Sequence, residues 1–206
     1  ETRAQLREIE EALYGFAQSQ GRLPCPASDT SNGYEAMTSG VCDVTHGFVP
    51  SATLGLYGRI NEDGLLLDAW TNPLRYSLVT DDLLAENPDF SDRTSIQTFF
   101  RDDYAFKPTN MFEVCEYDSL SDACSKVHTD TAPAVIMSLG ADGNAYTSEE
   151  ETLNAGTDTL GGYSIHSDAE QLFISEEYAE DVYDDQLIWL SPYVLFNRLV
   201  SAGKLP

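Results

Sequence analysis

The feature that most constrains the fold is an amphipathic pattern at the start of the chain. Residues 2–20, TRAQLREIEEALYGFAQSQ, repeat apolar side chains at spacings of three and four: Leu6, Ile9, Leu13 and Phe16. This spacing puts all four on one face of an α-helix, and Gly21 follows where helices commonly end. A lone helix must bury such a face, and one side of an antiparallel sheet is its natural cover. The sequence therefore predicts an α+β fold with a long N-terminal helix packed on a sheet.

Three apolar segments are the candidate strands of that sheet. Leu74, Tyr76 and Leu78 alternate with polar residues, which is typical of a half-buried strand. MFEVCEY (111–117) and APAVIMSLG (132–140) also predict strands, and the continuous apolar run of the second suits a central position. We expect these strands to form an antiparallel meander after the helix.

The length of 206 residues suits one domain. It divides into consecutive regions: an N-terminal helix at 1–20, a disulfide-pinned loop region at 25–64, sheet at 65–140 with an insertion at 81–110, a variable loop region at 141–185, and a strand with a short C-terminal helix at 186–206. We expect one short helix in the insertion, near 93–102. The closing helix is expected to begin at Ser191-Pro192 and to have an apolar side formed by Val194, Leu195 and Leu199.

The charge of the chain excludes whole classes of partner. Eleven Lys and Arg against 35 Asp and Glu give a net charge of −24. A nucleic-acid-binding protein needs Lys and Arg to neutralise phosphates, so we expect no nucleic-acid partner. The same charge argues against attachment to anionic lipid. An acidic surface suits solubility and divalent cations, although most such charge is simply solvated.

The four cysteines fall as two close pairs: Cys25 with Cys42, and Cys115 with Cys124. Two local disulfides are the favoured interpretation, with a zinc site and free thiols as alternatives. Structural zinc sites usually have shorter ligand spacings, and the three histidines lie far apart in the sequence. Two disulfides would indicate an oxidising compartment, meaning the periplasm or the outside of the cell.

No catalytic motif is present, so we expect no enzyme and no catalytic residues. The chain lacks GxSxG, HExxH and a phosphate-cradling GxxxxGK[ST]. The acidic pairs Asp102-Asp103 and Asp184-Asp185 could serve a glycosidase in principle. In a chain with 35 acidic residues, however, adjacent pairs are expected by chance.

Three segments resemble the soluble part of type IV pilin-like proteins, and most of all the pseudopilins of type II secretion systems. They are the helix running into ALYGFAQSQGRLPCPA, the segment DAWTNPLRYSL, and the loop SLGADG. The major pseudopilin has D-P-W-G-N-P-Y and S-L-G-A-D-G at the corresponding places. Residues 138–143 match the second motif in full, and the first is matched by Asp68, Trp70, Asn72 and Pro73. The ending WLSPYVLFNRLVSAGKLP is similar to those of prepilin-type proteins, whereas the insertions at 81–110 and 142–185 lie outside the resemblance.

The resemblance implies a mechanical function. Such proteins carry a short basic leader and a membrane-spanning first half of the helix, are trimmed by a prepilin peptidase, and stack into a filament. It implies that this half-helix is missing before Glu1 and would anchor the protein in the inner membrane. The expected partners are other pilin-like subunits and the assembly machinery of a type II secretion or type IV pilus-like system. The expected location is the periplasmic face of the inner membrane, or an extracellular filament, of a Gram-negative bacterium.

Two long insertions would be awkward in a tightly packed filament shaft, which favours a minor subunit over a major one. The alternative function is an extracellular adhesin or ligand-binding module, and a periplasmic hydrolase is the least favoured. An adhesin would expose the aromatic residues of the first insertion, whereas the sequence favours a buried satellite cluster: Phe90, Phe99, Phe100, Tyr104 and Phe106.

The segment SLGADGNAYTSEEE (138–151) is the candidate cation site. It is not an EF-hand, because Tyr146 and Thr147 stand where that motif needs an oxygen ligand and a glycine. The resemblance implies calcium, which major pseudopilins hold here with backbone carbonyls and downstream aspartates. The candidate calcium ligands are Ser138, Leu139, Asp142, Asn144 and Asp158. The downstream aspartate pair has no matching form in this chain, and its possible substitutes lie at uncertain register: Glu149, Glu150, Glu151, Asn154 and Asp158. A solvated acidic turn is therefore the favoured alternative.

Overall fold

A computed structural model describes residues 1–80, 88–102, 111–121, 123–143, 148–168, 170–177, 179 and 183–205. These residues form a mixed α+β structure. The helices are α1 (Thr2–Gln20), α2 (Ser51–Leu54), α3 (Arg93–Asp102), α4 (Glu149–Ala155) and α5 (Pro192–Ser201). The strands are β1 (Met37–Thr38), β2 (Val41–Cys42), β3 (His46–Phe48), β4 (Arg75–Leu78), β5 (Phe112–Asp118), β6 (Ala123–Ala132), β7 (Ala134–Ser138), β8 (Asp158–Leu160), β9 (Tyr163–Ile165), β10 (Leu172–Ile174) and β11 (Gln186–Trp189). Among the described helices, none combines the length and the apolar character needed to cross a membrane.

Helix α1 forms over the predicted residues and ends at Gly21, which adopts a left-handed φ of 79°. Its buried face consists of Thr2, Leu6, Ile9, Leu13, Tyr14 and Ala17. Phe16 was predicted on this face but is only half-buried. The reason is that the buried stripe continues from Leu13 to Ala17, one turn on, which leaves Phe16 at its edge beneath the guanidinium of Arg22.

The largest sheet has four antiparallel strands in the order β11-β7-β4-β3. Helix α1 contacts β7 and β11 of this sheet and also packs against α5. Strand β7 is fully buried and lies between two neighbours, as its continuous apolar run predicted. The apolar face of α1 and the buried apolar side chains of β4 and β7 belong to one hydrophobic core.

Strand β4 was predicted to be half-buried, but both of its faces are covered. Ser77 contacts His46, with 2.8 Å between Ser77 Oγ and His46 Nδ1. The guanidinium of Arg75 lies 5.8 Å from the centre of the Phe48 ring. Phe48 belongs to a second, smaller hydrophobic cluster, packed by Tyr163 of the β8–β9 hairpin. Polar residues at alternate positions of β4 therefore face packed side chains rather than water.

The predicted meander is wrong, because the strands divide between two main sheets. Strand β6 pairs with β5, and β10 pairs with β5 in parallel on its other side. Strand β7 then pairs with β4 and β11 instead of its sequence neighbour β6. Most residues of β6 are exposed, whereas β7 is buried throughout. A strand as apolar as β7 gains most from a central position with both faces covered.

The region 141–185 was predicted to be an irregular loop, but it contains α4, β8, β9 and β10. The signal for α4 is a capping box: Ser148 accepts from the backbone N–H of Glu151, and the Glu151 carboxylate accepts from that of Ser148. The helix predicted near 93–102 is α3, while residues 81–87 and 103–110 of that insertion lie outside the described residues. In α5, Leu195 is buried as predicted but Val194 is 40% exposed.

Both disulfides are present in the predicted pairing. Cys25–Cys42 joins the segment after α1 to strand β2, and Cys115–Cys124 joins the two strands of the β5–β6 hairpin. No free cysteine remains. The zinc and free-thiol alternatives are therefore not found in this structure.

Replacing Leu13 with Asp tests the burial of α1. Leu13 is fully buried, so the variant loses a core side chain and places a charge in its position. We expect the free energy of unfolding to fall by roughly 4 kcal/mol or more, as measured by chemical denaturation. Ala4→Asp, on the exposed face of the same helix, is the matched control. An unchanged stability of Leu13→Asp would contradict the packing of α1.

Removing each disulfide tests how much the cross-links contribute. The two disulfides close loops with sequence separations of 17 and 9 residues. Chain entropy predicts a loss of about 3 kcal/mol for the Cys25–Cys42 pair and of about 2.6 kcal/mol for the Cys115–Cys124 pair. Paired Cys→Ser variants and denaturation measure these losses. Peptide mapping without reductant checks the pairing itself, and crossed pairs would contradict the structure.

Candidate metal centre

The turn DAWTNP and the loop SLGADG lie against each other, although about 70 residues separate them. Asp68 is buried, and its Oδ1 accepts hydrogen bonds from the backbone N–H groups of Trp70 and Asn72. Its Oδ2 accepts one from Ser138 Oγ at 2.5 Å. Asn72 Nδ2 donates to the carbonyl of Gly140 at 2.7 Å. The turn before β4 is thereby fastened to the end of β7.

Two glycines let the chain pass tightly through this junction. Gly140 and Gly143 have φ values of 61° and 59°, a region that favours glycine. A Cβ on Gly143 would lie 2.7 Å from the side-chain oxygen of Asn72. A Cβ on Gly140 would overlap the carboxylate of Asp184. The loop therefore has turn residues on one side and Asp184 on the other.

Three carboxylates from separate segments meet beside this loop: Asp142, Glu151 and Asp184. One oxygen of each lies within 4.8 Å of the others. Asp142 comes from the loop after β7, Glu151 from the first turn of α4, and Asp184 from the residues before β11. We call these three residues the acidic cluster.

Backbone groups hold two of the three carboxylates in place. Asp184 Oδ2 accepts from the backbone N–H of Ala141 at 2.6 Å. Glu151 Oε1 accepts from the backbone N–H of Asp184, and Glu151 Oε2 from that of Ser148, both at 3.3 Å. Asp184 Oδ1 is buried and has no hydrogen-bond partner among the described residues. The cluster thus contains an oxygen whose desolvation is not offset by any described donor.

The carboxylates disfavour one another's charge. Burial, followed by the nearby charges of Glu151 and Asp184, raises the pKa of Asp142 from 3.8 to about 6. Burial also raises the pKa of Asp184, with Glu151 contributing in the same direction. Like charges at this separation favour uptake of either a proton or a cation. A divalent cation would relieve both the repulsion and the missing partner of Asp184.

A network of hydrogen-bonded polar side chains lies next to the acidic cluster. Asn154 Nδ2 donates to Asp185 Oδ2 at 2.8 Å and to the carbonyl of Ile174 at 2.9 Å. Tyr183 donates its hydroxyl to the same carbonyl. Burial raises the pKa of Asp185 to about 8, and the charges of Glu151, Asp184 and Asp142 act in the same direction. The network fixes residues 183–185 and with them the position of Asp184.

The structure brings only one of the described candidate calcium ligands into the acidic cluster. Asp142 lies in the acidic cluster, whereas the Ser138 hydroxyl donates to Asp68, and the Leu139 carbonyl accepts from the backbone N–H of Gly143. Asp158 is exposed on β8 and is not one of the clustered carboxylates. Asn144 lies outside the described residues.

Asp184 was not among the predicted ligands, because only the pairing of strands brings it to the loop. Strand β11 pairs with β7 so that Gln186 lies opposite Ser138. Asp184, two residues before β11 begins, therefore lies against Gly140, two residues after β7 ends. The sequence signal was the acidic pair at 184–185, but its use required knowledge of this register. Glu151 was named only as a possible substitute, and the capping box is what turns it toward the cluster.

The residues present fit a hard divalent cation. Such ions take oxygen ligands, and calcium takes six to eight of them, from carboxylates, carbonyls and water. Asp142, Glu151 and Asp184 supply three carboxylates from one small volume. A second group of possible ligands, around Glu113, includes Cys115 and Cys124, which are bonded to each other and cannot bind metal as thiolates.

Comparison with known proteins gave no match: no protein-family model, no curated protein and no solved structure matches this chain.

Calcium should stabilise the protein through the acidic cluster. At a calcium concentration one hundred times the dissociation constant, linkage predicts about 2.7 kcal/mol of added stability, or roughly 5–10 °C in melting temperature. The measurement is thermal melting at pH 7.5 with calcium and with chelator. Identical curves at millimolar calcium would show that the loop is a solvated acidic turn.

Asp142→Asn is the control variant. Its effect on stability, relative to the wild type, should have opposite signs in chelator and in calcium. Because the folded state raises the pKa of Asp142 to about 6, its charge costs stability as pH rises above the unfolded value of 3.8. In chelator at pH 7.5 the variant should therefore melt higher than the wild type, while calcium should no longer add stability. Asp158→Asn, outside the cluster, should retain the calcium effect.

Proposed function

We propose that this chain is an assembly subunit of the type IV pilin-like class, a minor pseudopilin or minor pilin of a type II secretion or type IV pilus-like system. Its function would be mechanical: to take its place in a filament or at the filament tip and support protein transport or pilus assembly. The subunit would have no catalytic residues, and calcium would be its only small ligand.

The observation that carries this proposal is the junction between the two motifs on which the resemblance rests. The DAWTNP turn and the SLGADG loop match pseudopilin motifs separately, and nothing in their sequence spacing requires them to touch. In the folded chain the Ser138 hydroxyl donates a hydrogen bond to the Asp68 carboxylate, and the Asn72 side chain donates one to the Gly140 carbonyl. A chance match of two short motifs would not be expected to produce a shared hydrogen-bonded junction.

The packing of α1 also supports the proposal. A pilin-like fold has a long N-terminal helix laid on an antiparallel sheet, and here α1 contacts β7 and β11 of the four-stranded sheet. The second sheet and the β8–β9 hairpin are additions to that plan. Such additions are bulky for a packed filament shaft, which favours a minor subunit.

Location and partners follow from the same proposal. Two disulfides favour an oxidising compartment, so we place the subunit on the periplasmic face of the inner membrane or in an extracellular filament. Its partners would be other pilin-like subunits and the assembly machinery, with the inner membrane reached through an N-terminal half-helix. A net charge of −24 argues against nucleic acid.

The adhesin alternative depended on exposed aromatic residues in the first insertion, and the structure removes part of that basis. Phe90 and Phe100 are buried, and Phe99 is partly buried against the same core. Their rings contact one another edge to face, Phe90 with Phe99 and Phe99 with Phe100. Tyr104 and Phe106 lie outside the described residues. The three described rings stabilise the attachment of α3 instead of forming a binding surface.

Processing of the natural precursor tests the proposed class. The full-length gene product, expressed with an active prepilin peptidase, should lose a short leader, as measured by mass spectrometry of the membrane fraction. A catalytically inactive peptidase is the control and should leave the leader in place. A precursor that active peptidase leaves intact, or that lacks a leader followed by about 20 apolar residues, would contradict the proposal.

A further inference from the structure

Two of the three histidines of the chain are buried against each other, and neither belongs to the acidic cluster. His46 lies on β3 and is 3% exposed, and His166 directly follows β9 and is 5% exposed. Their rings are stacked, with 5.3 Å between the ring centres and 28° between the ring planes. We call these two residues the histidine pair.

Aromatic side chains of the second sheet pack against the pair. The ring centre of Phe112, on β5, lies 5.5 Å from that of His46, and the ring centre of Phe173, on β10, lies 4.4 Å from that of His166. Phe112 and Phe173 also contact each other edge to face. The histidine pair therefore lies where three parts of the fold meet: strand β3 of the four-stranded sheet, the sheet that contains β5 and β10, and the end of the β8–β9 hairpin.

The β8–β9 hairpin covers one face of β3 through ring contacts. His46 and Phe48 are two residues apart on this strand, so their side chains point to the same face. His166 stacks on His46, and Tyr163 packs edge to face on Phe48 with 5.4 Å between the ring centres. Tyr163 also accepts a hydrogen bond from Asn61 Nδ2 at 3.1 Å. The histidine pair is thus one of the two ring contacts by which the hairpin is held on β3.

The hydrogen bonds of the pair suit neutral rings. Ser77 Oγ lies 2.8 Å from His46 Nδ1, and a hydroxyl can either donate to or accept from a neutral imidazole. His166 Nε2 lies 3.3 Å from the carbonyl oxygen of Leu172. His46 Nε2 is buried and has no hydrogen-bond partner among the described residues. An imidazolium carries two N–H donors, so a charged His46 would bury a donor that lacks an acceptor.

Burial lowers the pKa of both histidines below the ordinary value of 6.5. For His46, the neighbouring His166 acts in the same direction and the backbone of Glu170 in the opposite one. For His166, the charge of Glu170 raises the pKa and that of Arg75 lowers it. Arg75 belongs to β4, and Glu170 lies between β9 and β10. Within the described part of the chain, no charged side chain of β3, β5 or β10 acts on the pair.

These two charges belong to different parts of the fold. Arg75 is part of the four-stranded sheet, whereas the Glu170 carboxylate accepts from the backbone N–H of Ser167 and, at 3.3 Å, from Thr157 Oγ1. Both of those donors lie in the segments that flank the hairpin. A proton on His166 would therefore be repelled by the sheet and attracted to residues on the hairpin side. Protonation of both rings would add repulsion between like charges at the contact itself.

We propose that the histidine pair is an acid-sensitive switch, which releases the β8–β9 hairpin from β3 in mildly acidic solution while α1 and the four-stranded sheet remain folded. Release uncovers Phe48 and the face of β3 on which it lies. The switch does not depend on the pilin-like function, because it rests on the packing and the charges around the two rings.

The direction and size of the effect follow from linkage. Released histidines titrate near their ordinary pKa of about 6.5, whereas the buried rings stay neutral to lower pH, so the closed state is favoured above that pH and loses its advantage as pH falls. Between pH 7.5 and pH 5.0, the ratio of released to closed hairpin should rise about thirtyfold for one histidine and on the order of a thousandfold for two. The raised pKa of Asp142 acts on overall stability with the opposite sign, so a local measurement is needed.

Residue-resolved hydrogen exchange tests the switch in the wild-type chain. Exchange is measured in chelator at pH 7.5 and pH 5.0 and corrected for the intrinsic effect of pH. An isolated two-stranded hairpin is marginally stable in water, so the amides of β8 and β9 should lose protection on release. We expect their protection factors to fall about thirtyfold or more, while those of α1 and β7 change less than about threefold. An equal fall in α1 and β7 would indicate global acid unfolding and overturn the proposal, as would unchanged protection in β8 and β9.

Variants separate the histidines from the carboxylates. His46→Phe combined with His166→Phe keeps two aromatic rings at the contact but removes both titrating groups, so protection of the hairpin should change less than about threefold between the two pH values. His128→Phe is the matched control, because His128 is the third histidine and is exposed on β6. It should keep the wild-type response. A double variant with the wild-type response would show that other groups take up the protons, such as Glu170, and the proposal would be wrong.

Titration of the rings gives a readout that needs no substitution. The ring nitrogens of His46 and His166, followed by ¹⁵N NMR in the wild type, should stay neutral until the amides of β8 and β9 lose protection. They should then take up protons over the same range of pH. Protonated rings in a protected hairpin, or loss of protection while both rings stay neutral, would each contradict the proposed switch.

Discussion

The buried carboxylate of Asp68 is the constraint on which the geometry of the candidate metal centre depends. Only 1% of the surface of Asp68 is exposed, and a carboxylate buried to this degree needs hydrogen-bond donors. Asp68 accepts three hydrogen bonds, two from its own turn and one from Ser138 at the end of β7. Separating the turn from the sheet would leave this charge buried and unpaired. The same junction allows Asn72 to hold Gly140, and the loop so fixed presents Asp142 to the acidic cluster.

Elements with a strong local signal were predictable from the sequence. The period of apolar residues and the glycine stop defined α1, the Ser-Pro start defined α5, and the apolar run defined β7 as a central strand. Close cysteine spacing indicated both disulfides. Each of these signals lies within about 20 residues of sequence, where helix periodicity, capping and loop closure act directly. The exception is Phe16, whose position at the edge of the buried stripe depends on what packs beside α1.

Features that depend on distant pairing could not be predicted in the same way. Alternation in β4 indicated one solvent-exposed face, but Ser77 and Arg75 contact side chains of the neighbouring strand β3, and the β8–β9 hairpin packs on Phe48 of that strand. No local pattern reveals packing supplied by another segment. Strands β5 and β6 pair with each other and with β10 instead of joining the four-stranded sheet, and this also depends on pairing between distant segments. For the candidate site, Asp142 was found by its motif, whereas Asp184 required the register of β11 on β7. Single sequences carry little information on register once several apolar strands compete.

The acidic cluster has a mechanical consequence because its three carboxylates belong to three different segments. Asp142 follows β7, Glu151 begins α4, and Asp184 precedes β11, so a cation shared among them would join the end of the four-stranded sheet to the added helix. Without a cation, burial and then the neighbouring charges of Glu151 and Asp184 raise the pKa of Asp142, so the three segments bring together carboxylates that disfavour one another's ionisation. Cation binding would therefore change the rigidity of this end of the sheet more than its fold. Helix α1 contacts β7 and β11, the two strands next to which Asp142 and Asp184 lie, so a cation here would bind beside the helix–sheet contact.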